Sequence, residues 1–171
     1  FKNSLVPQID VAKAAGYETL IFVPGKIGEK IAQKLGYPAA AIIQTSNFIG
    51  FMLEAAAERK IAKIIFCGHI GKLIKVAAGI FHTHNRVADG RLETLAAYAA
   101  TEGLNAAEVK KILNANTTED ATKIIAENHL EIVYKKIAER ASYRAERYVF
   151  GEMEVGTILV DYAGNILGSD C

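Results

Sequence analysis

Three short apolar runs limit what this chain can fold into more than any other feature. They are Thr19-Leu20-Ile21-Phe22-Val23, Ala40-Ala41-Ile42-Ile43-Gln44-Thr45 and Lys63-Ile64-Ile65-Phe66-Cys67. The first is bounded by Pro24-Gly25. A compact apolar run between breakers reads as a strand covered on both faces, as in a parallel sheet. Helical character separates the runs, over 26–35, stopped by Gly36, and over 47–59. The second of these helices is apolar on nearly all sides in its first half, which predicts burial. Ser4 is a cap for an earlier helix, with Pro7 in its first turn and Gly16 as its stop.

Strand and helix thus alternate at the spacing of βαβ units, which predicts a parallel, right-handed, doubly wound sheet. From Ile70 to Arg147 only helical signals follow, over 70–80, 86–101, 105–113, 118–126 and 128–146. Thr117 and Asn128 are the expected caps, and Gly103 a stop. The last stretch returns to strand at 155–162 and 166–167 around the turn Ala163-Gly164-Asn165. The expected architecture is α/β: a Rossmann-like three-layer sandwich, mostly parallel, with a helical insertion and a C-terminal edge hairpin. No linker or repeat interrupts it, so residues 1–171 read as one domain.

Composition excludes several classes. Half of the 171 residues are hydrophobic and 23% are charged, which rules out a disordered chain. Twenty basic residues against nineteen acidic ones leave no basic field, so no nucleic-acid partner is expected and anion recognition must be local. No apolar run reaches membrane-spanning length, and no signal peptide is visible. Phe1 in place of an initiating Met suggests a processed chain or a fragment. Cys67 and Cys171 form neither a disulfide framework nor a metal pattern, and Cys67 reads as a small buried hydrophobe; a cytoplasmic setting fits.

The three strands share a punctuation. Gly25-Lys26-Ile27-Gly28-Glu29, Asn47-Phe48-Ile49-Gly50 and Gly68-His69-Ile70-Gly71-Lys72 each place Gly or Asn, two residues, then Gly at a strand-to-helix junction. Ligands of open α/β sheets bind at the carboxyl ends of strands. There, a glycine permits positive φ or close approach, and helix-start N–H groups attract polar ligand atoms. None of the three is a full dinucleotide fingerprint or a P-loop, and tight βα turns alone also account for such glycines. Glu29 and Glu54 are within reach of the crevice mouth. Asn47 is placed either to bind a ligand or to cap its helix.

Beyond Ile70, Lys72, Lys75, Gly79 and His82 recur at helical spacing as a polar stripe, fit for a ligand with carboxylates or for an ordinary solvated face. His82, His84 and Asp89 have two readings: ligands for a metal such as zinc, or a turn in which Thr83 or Asn85 caps the next helix and Asp89 sits in its first turn. The turn is preferred and no metal is assigned. His69, directly after a strand, is the leading acid/base candidate, followed by His82. Arg140, Arg144 and Arg147 read as a solvated basic face or a homo-oligomer contact. His129 reads as structural.

These motifs also carry a family resemblance. Pro-Gly-x-x-Gly-Glu at 24–29, Ser-Asn-Phe-x-Gly-Phe at 46–51, Gly-His-x-Gly-Lys-Leu-Ile-Lys-x-Ala-x-Gly-x-Phe at 68–81 and Thr-His-x-x-x-Ala-Asp at 83–89 resemble the cobalt-precorrin-5B (C-1)-methyltransferase family, the CbiD enzymes of anaerobic cobalamin biosynthesis. The likeness spans essentially the whole chain but only the C-terminal part of that family, whose members carry a further N-terminal domain. The family usually has Ser at the position of Asn85, which keeps the capping ability. The resemblance implies transfer of a methyl group from S-adenosylmethionine to C-1 of a ring-contracted cobalt corrinoid, giving cobalt-precorrin-6A. It also implies a fold other than the common tetrapyrrole methylase fold. Which motif holds the cofactor and which the corrinoid stays open; the switch-point argument puts the cofactor at Gly25, Gly28, Glu29, Asn47, Gly50, Gly68 and Gly71. The local cations and polar groups beyond β3 put the carboxylate-rich corrinoid at Lys72, Lys75, His84, Asn85, Arg86 and Asp89, with Lys26 nearby. His69 or His82 serves if a base is needed. Two other readings stay open: a non-catalytic nucleotide or anion-binding module, and a structural domain that docks on the N-terminal domain.

Overall fold

The computed structural model describes residues 1–171. Its elements are α1 (Pro7–Ala14), β1 (Thr19–Val23), α2 (Lys26–Lys34), β2 (Ile42–Gln44), α3 (Ile49–Glu58), β3 (Lys63–His69), α4 (Ile70–Ala77), α5 (Arg91–Thr101), α6 (Ala106–Leu113), α7 (Thr118–Glu127), α8 (Ile132–Tyr148), β4 (Glu154–Val160) and β5 (Ile166–Ser169). The five strands form one mixed sheet in the order β2-β1-β3-β4-β5. β1 to β4 are mutually parallel, and β5 returns antiparallel along the edge. The apolar runs are strands for the reason the sequence suggests. Leu20, Ile21, Phe22 and Val23 are all buried, so helices must cover both faces of β1.

The direction in which successive strands are added to the sheet reverses beside β1. The crossover β1–α2–β2 leaves one way and β2–α3–β3 returns the other, so right-handed connections put α2 on one face and α3 on the opposite one. The long β3–β4 connection, α4 to α8, joins the α3 face. There Phe22 and Phe66 are register partners with ring centroids 6.3 Å apart, and Ser142 of α8 meets Thr157 of β4 at 2.8 Å.

Several boundaries differ from the sequence expectation. The first helix begins at Pro7 after a 3-10 turn over Lys2–Leu5, so Ser4 does not cap it. Another 3-10 turn, Ala39–Ala41, shortens β2. The helix after β3 stops at Ala77 because Gly79 takes a left-handed φ of 81° and the Ile80 N–H turns back to the Lys75 carbonyl. The next helix starts at Arg91, not residue 86, and Gly90 is its cap. Asn128 closes α7 instead of opening α8. Thr117 caps α7, with its hydroxyl accepting from the Asp120 N–H at 3.0 Å, and Gly103 follows the end of α5 with a φ of 93°. The Arg140 and Arg147 guanidiniums flank the Tyr143 ring at 4.9 and 5.6 Å on the exposed face of α8, whereas Arg144 is part-buried beside Gly79 and does not belong to a solvated basic face. No helix is long and apolar enough to cross a membrane.

Candidate functional site

Two small clefts open side by side at the carboxyl ends of β1 and β3, where the strand order reverses. The first, of about 170 Å3, is lined by Pro24, Gly25, Ile27 and Gly28 from the β1–α2 junction. The second, of about 230 Å3, lies between the starts of α4 and α7 and is lined by Asn85, Arg91, Thr117, Thr118 and Glu119. His69, Lys72 and Tyr162 line both.

The three junctions are not three equivalent turns. None of Gly25, Gly28, Gly50, Gly68 and Gly71 has a positive φ; each is needed, if at all, for its small size. A Cβ on Gly28 would lie 2.0 Å from the Cys67 carbonyl oxygen, so α2 starts in direct contact with β3. On Gly68 it would lie 2.7 Å from the Pro24 ring. Gly25 caps α2 without a side chain, and the N–H groups of Lys26, Ile27 and Gly28 have no partner in the chain. Gly50 differs. Its N–H bonds the Phe81 carbonyl at 2.9 Å and its Cα faces Phe81 and Tyr148, away from either cleft. The third strand extends through Gly68 to His69 and feeds α4 without a turn.

His69 caps α4. Its Nδ1 accepts from the Gly71 N–H at 3.0 Å, so the proton resides on Nε2, which donates to Glu119 Oε1 at 2.8 Å. The Tyr162 ring stacks on the imidazole at 3.9 Å between centroids, and the Tyr162 N–H donates to the same Glu119 oxygen at 3.0 Å. Both ring nitrogens are therefore occupied.

Behind Lys72 runs a polar network. Asn47 follows Ser46, which holds a left-handed φ of 51°. Asn47 Oδ1 accepts from Lys72 Nζ at 2.7 Å and from the Thr83 hydroxyl at 3.0 Å. Thr83, fully buried, presents its carbonyl to Lys75 Nζ at 2.8 Å, and the same ammonium holds Asn85 Oδ1 at 2.6 Å. Lys75 is only 1% exposed, so this lysine is a buried strut that fixes Asn85 at the cleft wall. Burial, then the Arg91 charge, holds both lysines below the usual ammonium range.

The other expected residues divide. Asp89 precedes α5 and grips Arg91 through Oδ1–Nε at 2.8 Å and Oδ2–Nη2 at 3.2 Å; this bond holds its carboxyl below the usual range. Glu29 hydrogen-bonds the Gln44 amide. His82 lies beyond α4, not on its polar stripe; its ring meets Phe48 edge-on at 5.1 Å and lines neither cleft. His84 and Arg86 are exposed outside the clefts, with His84 Nδ1 accepting from the Arg86 N–H, and His82, His84 and Asp89 form no metal-ligating cluster. Arg91, Thr118, Glu119 and Tyr162 were not foreseen. Asp89-x-Arg91 spacing and the recognised cap at Thr117 hinted at three of them; Tyr162 arrives only through the β4–β5 hairpin.

Comparison with known proteins now has a geometry to attach to. The sequence model of the family described as "CbiD, C-terminal domain" matches residues 82–171, which supply Asn85, Arg91, α7 and the hairpin. The chain is 51% identical over 172 residues to the cobalt-precorrin-5B C(1)-methyltransferase of Moorella thermoacetica, covering 99% of this chain and 47% of that protein. It is 47% identical over 171 residues to the protein of that name from Desulfitobacterium hafniense, with 99% and 44% covered. Against that of Methanocaldococcus jannaschii the figures are 45% over 175 residues, 99% and 47%. The chain thus spans about half the length of these curated relatives. No solved structure matches it. With more than half of its residues under the family model, including one wall of the crevice, the chain belongs to the CbiD family and carries its C-terminal domain.

Proposed function

We propose that the chain is the ligand-binding C-terminal part of an S-adenosylmethionine-dependent enzyme that methylates C-1 of cobalt-precorrin-5B and yields cobalt-precorrin-6A. The relatives' names supply the reaction, and one observation carries the assignment to this site. Cationic and polar groups converge on paired clefts at the carboxyl ends of β1 and β3, where the strand order of the α/β sheet reverses and open sheets of this kind bind ligands.

The first cleft suits the methyl donor. The open N–H groups at the start of α2 can donate to polar ligand atoms, side-chain-free Gly25 lets a ligand approach the backbone, and the exposed Tyr162 ring offers a flat face. S-adenosylmethionine supplies an electrophilic methyl group when bound. The second cleft, with Lys72 and Arg91, suits a carboxylate. At about 170 and 230 Å3, each is below the usual size of a whole ligand pocket, roughly 300–1,000 Å3. A macrocycle therefore sits across the mouth, with its arms inserted, and the further length of the relatives supplies a second wall.

The chain's contribution to catalysis is alignment. Lys72, held by Asn47, reaches both clefts and ties the positions of donor and acceptor together. With both nitrogens engaged, His69 acts as a positioning residue that fixes α4, Glu119 and Tyr162. Calorimetry with S-adenosylhomocysteine, together with turnover of cobalt-precorrin-5B by the full-length protein, tests the reading. Lys72→Ala is expected to cut turnover about tenfold or more, the worth of a charge-assisted hydrogen bond, while the fold persists. A chain that does not bind S-adenosylhomocysteine, or a Lys72→Ala variant with unchanged turnover, refutes it.

A further inference from the structure

Thr118 is 3% exposed, lines the second cleft, and its hydroxyl has no hydrogen-bond partner. A buried hydroxyl left unpaired is a cost that folding alone gives no reason to keep. Its surroundings all favour an anion. Thr118 is the first residue of α7, and the N–H groups of Thr118 and Glu119 have no partner in the chain, since the Thr117 cap takes only that of Asp120. The start of α4 converges on the same point: a Cβ on Gly71 would lie 3.5 Å from the Thr118 hydroxyl oxygen.

The charges around the cleft point the same way. Lys72 and Arg91 line the cleft, the buried Lys75 stands behind them, and only two carboxylates accompany these three cations. Asp89 is committed to Arg91, and Glu119 Oε1 already accepts from His69 and Tyr162. Burial, and after it the Arg91 charge, disfavours protonation of both lysines, and a bound anion would relieve the second of these.

We infer that the cleft between the N-termini of α4 and α7 is a carboxylate-binding subsite, in which the Thr118 hydroxyl, the Thr118 and Glu119 N–H groups and the Lys72 ammonium receive one ligand carboxylate. The inference rests on the methyltransferase reading only for the source of that carboxylate, either a corrinoid side arm or the amino-acid end of the methyl donor.

Thr118→Val keeps the shape and removes only the unpaired hydroxyl. The 171-residue chain and this variant are titrated with sodium propionate at constant ionic strength, following the Glu119 amide by nitrogen-15 NMR. The expected result is a saturable shift in the wild type, weakened about tenfold in Thr118→Val, with the variant's Tm equal or higher. No saturable shift in the wild type, or equal affinity in the variant, overturns the subsite, whether or not S-adenosylhomocysteine binds elsewhere on the chain. Competition then identifies the source. Displacement of propionate by cobyrinic acid but not by its heptamethyl ester assigns a corrinoid arm, and displacement by S-adenosylhomocysteine assigns the donor. If propionate binds and neither competes, the subsite stands and the methyltransferase reading of this cleft falls.

Discussion

Replacing Gly28 with alanine would put a methyl group where the end of β3 already stands. The new Cβ would lie 2.0 Å from the Cys67 carbonyl oxygen, 2.9 Å from its carbonyl carbon and 3.0 Å from the Gly68 Cα. All three are backbone atoms of a strand that β4 holds in place through Ile158 and Leu159, so no side chain can swing aside. Ordinary contact begins near 3.4 Å, so α2 must retreat by about 1.4 Å along that line. Overpacking of this kind costs about 3 kcal/mol, and better helix propensity returns about 1 kcal/mol. The net loss is about 2 kcal/mol, which in a chain of this size lowers Tm by about 4–8 °C. Circular dichroism melts measure it. Because the shift moves the open N–H groups of α2, calorimetric affinity for S-adenosylhomocysteine should fall as well. Gly25→Ala is the control: its Cβ meets nothing within 4 Å and its φ of −168° is ordinary extended backbone, so it should cost under about 1 kcal/mol. A Gly28→Ala protein that melts with the wild type, or with Gly25→Ala, refutes the packing argument.

His69→Ala loses the helix cap, the Glu119 bond and the Tyr162 stack, and should cost about 1–2 kcal/mol in a denaturant titration. His69→Asn restores a cap acceptor. If His69 only positions, the pH profile of kcat/KM for this variant keeps the wild-type shape, and a lost inflection argues for proton transfer instead. Burial, followed by the neighbouring Cys171 charge, pushes the Cys67 thiol up to about 12. Maleimide at pH 8 should therefore give one adduct by mass spectrometry, at exposed Cys171, and a second adduct on the native chain would contradict this burial. Because the unfolded thiol ionises first, near 9, stability should fall as pH rises from there toward about 12, and Cys67→Ala should flatten part of that slope.

The legible parts of the chain were those with local causes. Continuous apolar runs identified β1 and β3, and Thr117 announced the start of α7, because hydrophobic pattern and capping act within a few residues. The stripe Lys72–Lys75–Gly79–His82 failed for an equally local reason: Gly79 is itself the stop, and its left-handed turn removes His82 from the helix. The glycine at each strand end was visible, but not its purpose. Whether a glycine serves φ or close approach depends on what packs against it, and for Gly28 that is a strand nearly forty residues later in the chain.

By itself, the sequence determined the alternation of strand and helix, the edge hairpin and the concentration of polar residues after β3, since periodicity and turn chemistry are properties of neighbouring residues. The tertiary structure decided which polar groups meet. It brought Thr118 and Glu119 from α7, Arg91 from α5 and Tyr162 from the hairpin to His69 and Lys72, and left His82, His84 and Arg86 outside. It also turned Lys75 from an apparent surface cation into a buried strut. Strand order and helix crossing set those meetings, and no spacing along the chain encodes them.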